Sequence, residues 1–217
     1  MTPFQIKGIV FDMDNTLLKS NIDFPAMKLE TFNYLVASKL LPEDFPAHEH
    51  TSSSLMTHVQ SSGLWNGQLQ KEIWGIFTKH ELLGMKDAEL EPGARDLLQR
   101  LHTQLAMVIL TNNSYVAALA ALQYHSLDKY FDYIVAREQM EFMKPSPCGV
   151  YTILSRYKQI APEEWLSVGD SWIDGKAAQD AGVKFVAYRG KLAEMSSRGV
   201  VPAGAIHHLS ELTAFLG

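Results

Sequence analysis

The chain has 217 residues, of which 47% are hydrophobic, and its 24 acidic and 19 basic side chains give a formal charge of −5. This composition is typical of a folded globular protein and excludes disordered and collagen-like chains. The sequence has no Lys/Arg-rich block of the kind that nucleic-acid binding requires, and no apolar run approaches the ~18 residues of a membrane span. At ~150 residues per domain, the length predicts one domain with an appendage.

The N-terminal residues and the single cysteine bear on location. The segment MTPFQIKGIVFDMD lacks the small-residue cleavage site of a secretory signal. Cys148, as the only cysteine, cannot form an intramolecular disulfide. We therefore expect a cytoplasmic protein in which Cys148 is a small buried side chain.

Residues 5–11 form an apolar run that predicts the first strand, and two amphipathic helices follow between residues 24 and 83. The helical spacing is carried by Met27, Phe32, Leu35, Val36 and Leu40 in the first helix and by Trp65, Leu69, Ile73, Ile76 and Phe77 in the second. The Pro-, Ser- and His-containing residues 42–54 predict a loop between them, and Gly84 predicts the end of the second helix.

From Glu91 onward the pattern is that of an α/β domain. Strands are predicted at 105–110, 133–136, 165–168 and 183–188, with helices that begin at Pro92, after Ser114 and at Pro147, and one that ends at Gly182. Helical crossovers imply a parallel sheet, which the first strand must join to pair its backbone. We predict a three-layer, Rossmann-like α/β core of residues 1–18 and 86–217, with a small α-helical segment inserted at residues 19–85.

Polar residues follow three of the predicted strands. They are Asp12, Asp14 and Thr16 after the first, Thr111 and Asn112 after the second, and Asp170 after the third, with Asp174 one helical turn further on. Because ligands bind at the carboxyl ends of parallel strands, we expect these side chains to share one crevice. Crowded carboxylates repel one another unless a cation lies among them, and oxygen ligands beside a phosphate favour Mg²⁺.

The same crevice has the parts that phosphoryl transfer needs. A carboxylate can act as the nucleophile and form an aspartyl-phosphate. Thr111 and Asn112 at the start of a helix, together with the positive charge of Lys144, are suited to bind phosphoryl oxygens. Such a site works mainly by positioning and by neutralising charge.

Four motifs, in order and spacing, resemble those of the haloacid dehalogenase-like (HAD) superfamily: DMDNT at Asp12, ILTN at Thr111, KPSP at Lys144 and GDSWID at Asp170. The resemblance covers residues 4–11 and 91–188. The helical insertion after the first motif is similar to the α-helical cap of the phosphoglycolate phosphatase-like subfamily. The resemblance implies a Mg²⁺-dependent phosphatase that hydrolyses a small phosphorylated metabolite. Dehalogenases of the family lack the aspartate that corresponds to Asp14, which favours phosphate chemistry.

The resemblance also implies a role for each motif residue. Asp12 would attack phosphorus, and Asp14 would protonate the leaving oxygen and later deprotonate water. The Asp12 carboxylate, the Asp14 backbone carbonyl and the Asp170 carboxylate would hold Mg²⁺. Phosphoryl oxygens would be bound by Thr111, Asn112 and Lys144, while Asp174 would support Lys144 or a metal-bound water, with Thr16 as a further supporting residue.

The sequence departs from the family pattern at two positions. Asn15 stands where many relatives carry Gly, and Asn tolerates the same turn geometry. Lys19 stands where many carry an acidic residue, so it either meets an anionic part of the substrate or is an exposed lysine at the cap hinge.

Other side chains in and near the insertion have structural interpretations. His48, His50 and His58 lie without cysteine or fixed carboxylate spacing, which favours a solvated loop over a metal site. His207 and His208 are also expected to be structural. Trp65, Trp74 and Phe77 are expected in the core of the cap, with closure of one of them over the substrate as the alternative.

Three other functions stay open at this point. A phosphomutase or phosphotransferase would discharge the same intermediate to a hydroxyl group instead of water. A receiver-like signalling module would place its acidic pair and its phosphorylated aspartate on different strands. A non-catalytic phosphate-binding protein would not need both Asp12 and Asp14. The sequence carries no element that specifies an oligomeric state.

Overall fold

The computed structural model describes residues 5–217, which belong to two compact units. One unit contains the residues up to Ser20 together with those from Ala88 to Gly217, and the other contains Asn21–Asp87. The strands are β1 (Gly8–Phe11), β2 (Leu18–Lys19), β3 (Glu89–Leu90), β4 (Ala106–Leu110), β5 (Tyr133–Val135), β6 (Trp165–Gly169), β7 (Lys184–Tyr188) and β8 (Gly204–Ile206). The helices are α1 (Phe24–Ala37), α2 (Ser52–Ser61), α3 (Gly67–Met85), α4 (Ala94–Leu101), α5 (Tyr115–Tyr124), α6 (Cys148–Arg156), α7 (Trp172–Asp180) and α8 (Leu192–Ser197).

The larger unit is built on a six-stranded parallel sheet with the strand order β5-β4-β1-β6-β7-β8. Strand β1 lies between β4 and β6, with Phe11 opposite Ile109 on one side and Val168 on the other. All four residues of β1 are buried, as a continuous apolar run in a sheet covered on both faces requires. The predicted α/β fold class is confirmed.

A second, two-stranded sheet lies where the insertion leaves and rejoins this unit. Strands β2 and β3 are antiparallel, with Leu18 opposite Leu90 and Lys19 opposite Glu89. The amide of Glu91 donates to the carbonyl of Leu17 at 2.9 Å and extends the pairing by one further bond.

Local chemistry explains where the helices of this unit begin. Ser114 caps α5 as predicted, because its hydroxyl accepts a hydrogen bond from the Ala117 amide. Helix α4 starts at Ala94 and not at the predicted Pro92, since Gly93 at φ 82° turns the chain first. Cys148, expected to be buried, is half-buried at the start of α6.

The smaller unit contains three helices where the sequence pattern predicted two. The missing helix, α2, begins in the polar segment that predicted a loop. Its first turn is stabilised by Thr51 and Ser54, whose side chains each accept a hydrogen bond from the other's backbone amide. His58 therefore lies on a helix, and its ring and that of His50 both pack on Phe45.

Helix α3 runs through Gly84 and ends at Met85, one residue after the predicted end. A Cβ atom on Gly84 would overlap the backbone of Ile22, and the glycine therefore allows the helix to pack closely against the segment that contains Ile22. Phe77 is buried in the core of this unit, whereas Trp65 and Trp74 are half-buried.

Residues 5–217 contain eight α-helices. None of them combines the length and the apolar character of a membrane-crossing segment.

Candidate active site

Strands β4, β1 and β6 are neighbours, so the polar residues that follow them lie at one edge of the sheet. The strand pairing continues into this edge. The amide of Asp12 donates to the carbonyl of Val168 at 2.9 Å, and the amide of Thr111 donates to that of Val135 at 3.0 Å. The backbone of both residues is therefore fixed by the sheet.

Asp12 is buried, and both of its carboxylate oxygens accept a hydrogen bond. The Lys144 ammonium donates to Oδ1 at 2.7 Å, and the Thr16 hydroxyl donates to Oδ2 at 3.0 Å. The Lys144 bond joins the first and third motifs across 132 positions of the chain, whereas the Thr16 bond lies within the first motif. They hold the carboxylate in one orientation.

The Lys144 ammonium is enclosed by acceptors. Besides Asp12, it contacts the carbonyl of Leu110 at 2.8 Å and Oδ1 of Asp174 at 2.7 Å, and the residue is only 3% exposed. Burial alone would lower the pKa of Lys144, but the two carboxylates raise it above its ordinary value. Lys144 is therefore a fixed positive charge.

Acidic side chains exceed basic ones in this site. Asp12, Asp170 and Asp174 each offer a carboxylate oxygen, and these oxygens lie within 4.8 Å of one another. Burial, followed by the charges of Asp12 and Asp174, raises the pKa of Asp170 from 3.8 to about 8. Burial and Asp12 raise the pKa of Asp174 to about 6. The proximity of these carboxylates disfavours full ionisation.

This donor set fits a metal ion. All three side chains supply oxygen, which hard divalent cations prefer over nitrogen or sulfur. A bound cation would reduce the mutual repulsion that raises the pKa values of Asp170 and Asp174. The predicted ligands Asp12 and Asp170 belong to this group, and Asp174 is its third carboxylate. The Asp14 ligand was predicted to be its backbone carbonyl and stays a prediction.

Thr111 and Asn112 lie beside Lys144 but have different partners. The Thr111 hydroxyl accepts a hydrogen bond from the Asn113 amide at 3.1 Å, so its proton is available to a ligand. The Asn112 side chain accepts from the Lys144 amide at 2.9 Å and donates to the Lys144 carbonyl at 3.0 Å. That side chain holds the backbone of Lys144. The phosphate contact predicted for Asn112 stays a prediction.

Asn113 is a residue of the site that the sequence pattern did not single out. It is buried, and its side chain donates to Oδ2 of Asp14 at 2.6 Å. The signal was present, because Asn113 continues the polar run after β4. Only the pairing of β4 with β1 places that run against Asp14.

The two departures from the family pattern have different surroundings. Asn15 adopts φ 56°, a left-handed conformation that Asn tolerates better than most residues, and its amide donates to the Leu18 carbonyl at 2.6 Å. Lys19 lies on β2 opposite Glu89, with an exposed side chain.

Comparison with known proteins places this site in a family. The family model of haloacid dehalogenase-like hydrolases matches residues 9–188. Phosphoglycolate phosphatase of Vibrio vulnificus is 28% identical over 84% of this chain and 83% of its own. PpaX, a candidate pyrophosphatase of Caldanaerobacter subterraneus, is 28% identical over 85% and 82%.

Solved structures share the fold. The magnesium-bound HAD-hydrolase YfnB of Bacillus subtilis matches with a TM-score of 0.64 and 23% identity, covering 98% of this chain and 99% of its own. With the family model matched over most of its length, the chain belongs to the haloacid dehalogenase-like hydrolases, and within them it is similar to phosphatases.

Proposed function

We propose that this protein is a Mg²⁺-dependent phosphatase that hydrolyses a small-molecule phosphate monoester through an aspartyl-phosphate on Asp12. The observation that carries the proposal is the orientation of Asp12, which Lys144 and Thr16 fix beside Asp14 and Asp170. A nucleophilic carboxylate needs this kind of fixed alignment toward phosphorus.

The side chains of the site suggest how the reaction is divided among them. A carboxylate oxygen of Asp12 forms a bond to phosphorus as the bond from phosphorus to the ester oxygen breaks. Asp14, held by Asn113, donates a proton to that leaving oxygen. Asp14 then takes a proton from the water that hydrolyses the aspartyl-phosphate. Lys144 and the Thr111 hydroxyl bind the phosphoryl oxygens and balance their charge.

Mg²⁺ is the metal that best suits this arrangement. We propose that the Asp12 carboxylate, the Asp14 backbone carbonyl and the Asp170 carboxylate hold it, while Asp174 stays with Lys144. When bound, the ion supplies positive charge that offsets both the carboxylates and the phosphoryl oxygens. The magnesium-bound YfnB makes this ion the first to test.

Hydrolysis of p-nitrophenyl phosphate with Mg²⁺ or with EDTA tests the proposal. We expect Mg²⁺-dependent release of phosphate and a loss of at least about a thousandfold in kcat for Asp12→Asn. Asp180→Asn is the matched control, because Asp180 is an aspartate whose carboxylate pairs with Lys176 of its own helix. Trapping of an acyl-phosphate on Asp12 would support the intermediate. Equal turnover by Asp12→Asn and the wild type would contradict the proposal.

The substrate is proposed to be small. We propose that residues 19–85 act as a cap that selects it, since mobile lids commonly select substrates and exclude water. A panel of phosphorylated compounds should include the ester phosphoglycolate and the anhydride pyrophosphate, which the names of the relatives give. Sugar phosphates test the phosphomutase alternative, for which the product would be an isomer and not free phosphate.

We further propose a cytoplasmic location, which cell fractionation would test.

A further inference from the structure

Arg137 is a charged residue outside the four motifs whose burial calls for an explanation. It lies in the turn after β5 and is 0% exposed. Arginine is almost never fully buried unless its guanidinium is hydrogen-bonded, because removal of the charge from water is costly.

The Arg137 side chain is directed at the loop after β4. Its Nη1 donates to the backbone carbonyl of Asn112 at 3.1 Å, and its backbone amide donates to the carbonyl of Asn113 at 3.0 Å. The turn itself is held by other bonds, since the Ala136 amide donates to the Gln139 side chain and the Gln139 amide donates to the Ala136 carbonyl. The guanidinium contact with Asn112 is therefore additional to the bonds that form the turn.

Asn112 connects this contact to the nucleophile. Its side chain bonds both the amide and the carbonyl of Lys144, whose ammonium lies 2.7 Å from Asp12. Lysine has a long flexible side chain, so the place of its ammonium depends on a well-fixed backbone. A continuous set of hydrogen bonds thus runs from Arg137 through Asn112 and Lys144 to Asp12.

We infer that Arg137 is a positioning residue that holds Asn112 so that Lys144 keeps its ammonium on Asp12. The inference rests on the proposed function, because it assigns Arg137 to the same reaction. Arg137 does not touch the phosphoryl group in this scheme. Its effect is to keep Lys144 aligned, and a displacement of ~1 Å in such a group can cost about a hundredfold in rate.

Four variants test this inference: Arg137→Met, Arg137→Lys, Asn112→Ala and the double variant of Arg137→Met with Asn112→Ala. With p-nitrophenyl phosphate and Mg²⁺, we expect Arg137→Met to lower kcat about 30-fold and to change KM less than about threefold. Arg137→Lys should lower kcat less than Arg137→Met does, because lysine retains a charged hydrogen-bond donor. The double variant should be no more than about threefold below Asn112→Ala, since Arg137 acts through Asn112.

Leu212→Ala is the control for lost stability. Leu212 is a fully buried core residue in the C-terminal 3₁₀ segment, and its truncation should lower the melting temperature without changing kcat well below that temperature. If Arg137→Met behaves as Leu212→Ala does, or if its loss multiplies fully with that of Asn112→Ala, the inference is wrong.

A crystal structure of Arg137→Met gives a readout that does not depend on activity. We expect the Lys144 ammonium to move from its 2.7 Å contact with Asp12. An unchanged contact would overturn the positioning role even in an active enzyme. A wild-type protein without phosphatase activity would instead refute the proposed function and leave this structural comparison to decide the role of Arg137.

Discussion

The side-chain amide of Asn113 lies 2.6 Å from the carboxylate of Asp14, although the two residues are 99 positions apart. A hydrogen bond to a charged group contributes ~1.5–3 kcal/mol, so Asn113→Ala should lower kcat about 10- to 100-fold by releasing Asp14. Steady-state kinetics with an aryl phosphate measure the change in kcat. Gln179→Ala is the control, because it removes side-chain amide bonds to Gly199 and Val201 elsewhere in the unit. A kcat for Asn113→Ala within twofold of the control would contradict the role of Asn113.

Lys144→Met should destabilise the protein as well as inactivate it. Removal of one partner from a buried ion pair costs about 3–5 kcal/mol, because Asp12 and Asp174 then face each other without the ammonium. Urea unfolding without metal should show a smaller deficit at low pH, where the carboxylates take up protons. Lys176→Met breaks the more exposed pair with Asp180 and should cost less than about 1 kcal/mol. Equal losses in the free energy of unfolding for the two variants would show that burial does not make the Lys144 pairs more important for stability than the exposed pair.

Stabilisation by Mg²⁺ should increase with pH. The pKa values of Asp170 and Asp174 are raised to about 8 and about 6, so the folded protein binds these protons more tightly than the unfolded chain. Their contribution to stability is complete below their ordinary pKa of 3.8 and is lost as pH rises through these values. A bound cation neutralises the same carboxylates as these protons do. It should therefore stabilise the fold most at a pH at which Asp170 and Asp174 are ionised.

Thermal unfolding with Mg²⁺ or EDTA checks this pH dependence. We expect Mg²⁺ to raise the melting temperature by about 3 °C more at about pH 8.5 than at about pH 5.5. Asp170→Asn removes the carboxylate with the most strongly raised pKa and should reduce both the Mg²⁺ effect and its pH dependence. A Mg²⁺ effect that is the same at both pH values would argue against a metal at this cluster.

Two glycines of helix α3 form a matched pair for the smaller unit. Gly84→Ala should lower stability by ~1–3 kcal/mol, because the new Cβ atom would overlap the backbone of Ile22. Gly75→Ala meets nothing within 4 Å and should raise stability by ~0.5–1 kcal/mol through helix propensity. Circular dichroism during thermal unfolding compares them, and similar effects of the two substitutions would refute the packing role of Gly84.

Lys19→Ala distinguishes the two interpretations of that residue. Because its side chain is exposed on β2, we expect a change in stability of less than ~0.5 kcal/mol. If Lys19 meets an anionic part of the substrate, KM should rise for esters with a second negative group, and this is the result we expect. Lys184→Ala, at an exposed position of β7, is the control. Unchanged specificity across the ester panel would leave Lys19 as a hinge lysine.

The fold of the larger unit was predictable because its strands are short apolar runs that end in chemically distinctive residues. Asp12, Thr111 and Asp170 each follow a predicted strand, and this position predicted a shared edge. The adjacency of β4, β1 and β6 accounts for it. The family prediction is confirmed by the match over residues 9–188. The roles of the individual site residues stay predictions.

Other features of the fold and of the site depend on contacts that cannot be predicted from the local sequence pattern. Helix α2 was missed because its first turn is Ser-rich and is stabilised by reciprocal side-chain bonds. The close packing of Gly84 against Ile22 was not predicted, because Ile22 belongs to a different segment. Asn113 and Arg137 became visible only when the strand order placed their loops together.

The pairing of β2 with β3 has a consequence for how this protein can diversify. Leu18 opposite Leu90 and Lys19 opposite Glu89 bring both ends of the inserted segment to one point. Because the pairing of β2 with β3 holds the two ends of the segment together, a change in the length of the segment alters the entropic cost of closing the loop only slightly. Changes within residues 21–87 can therefore leave the register of β1, β4 and β6 intact. Under the proposed function, such changes would alter substrate preference without moving the residues proposed to be catalytic.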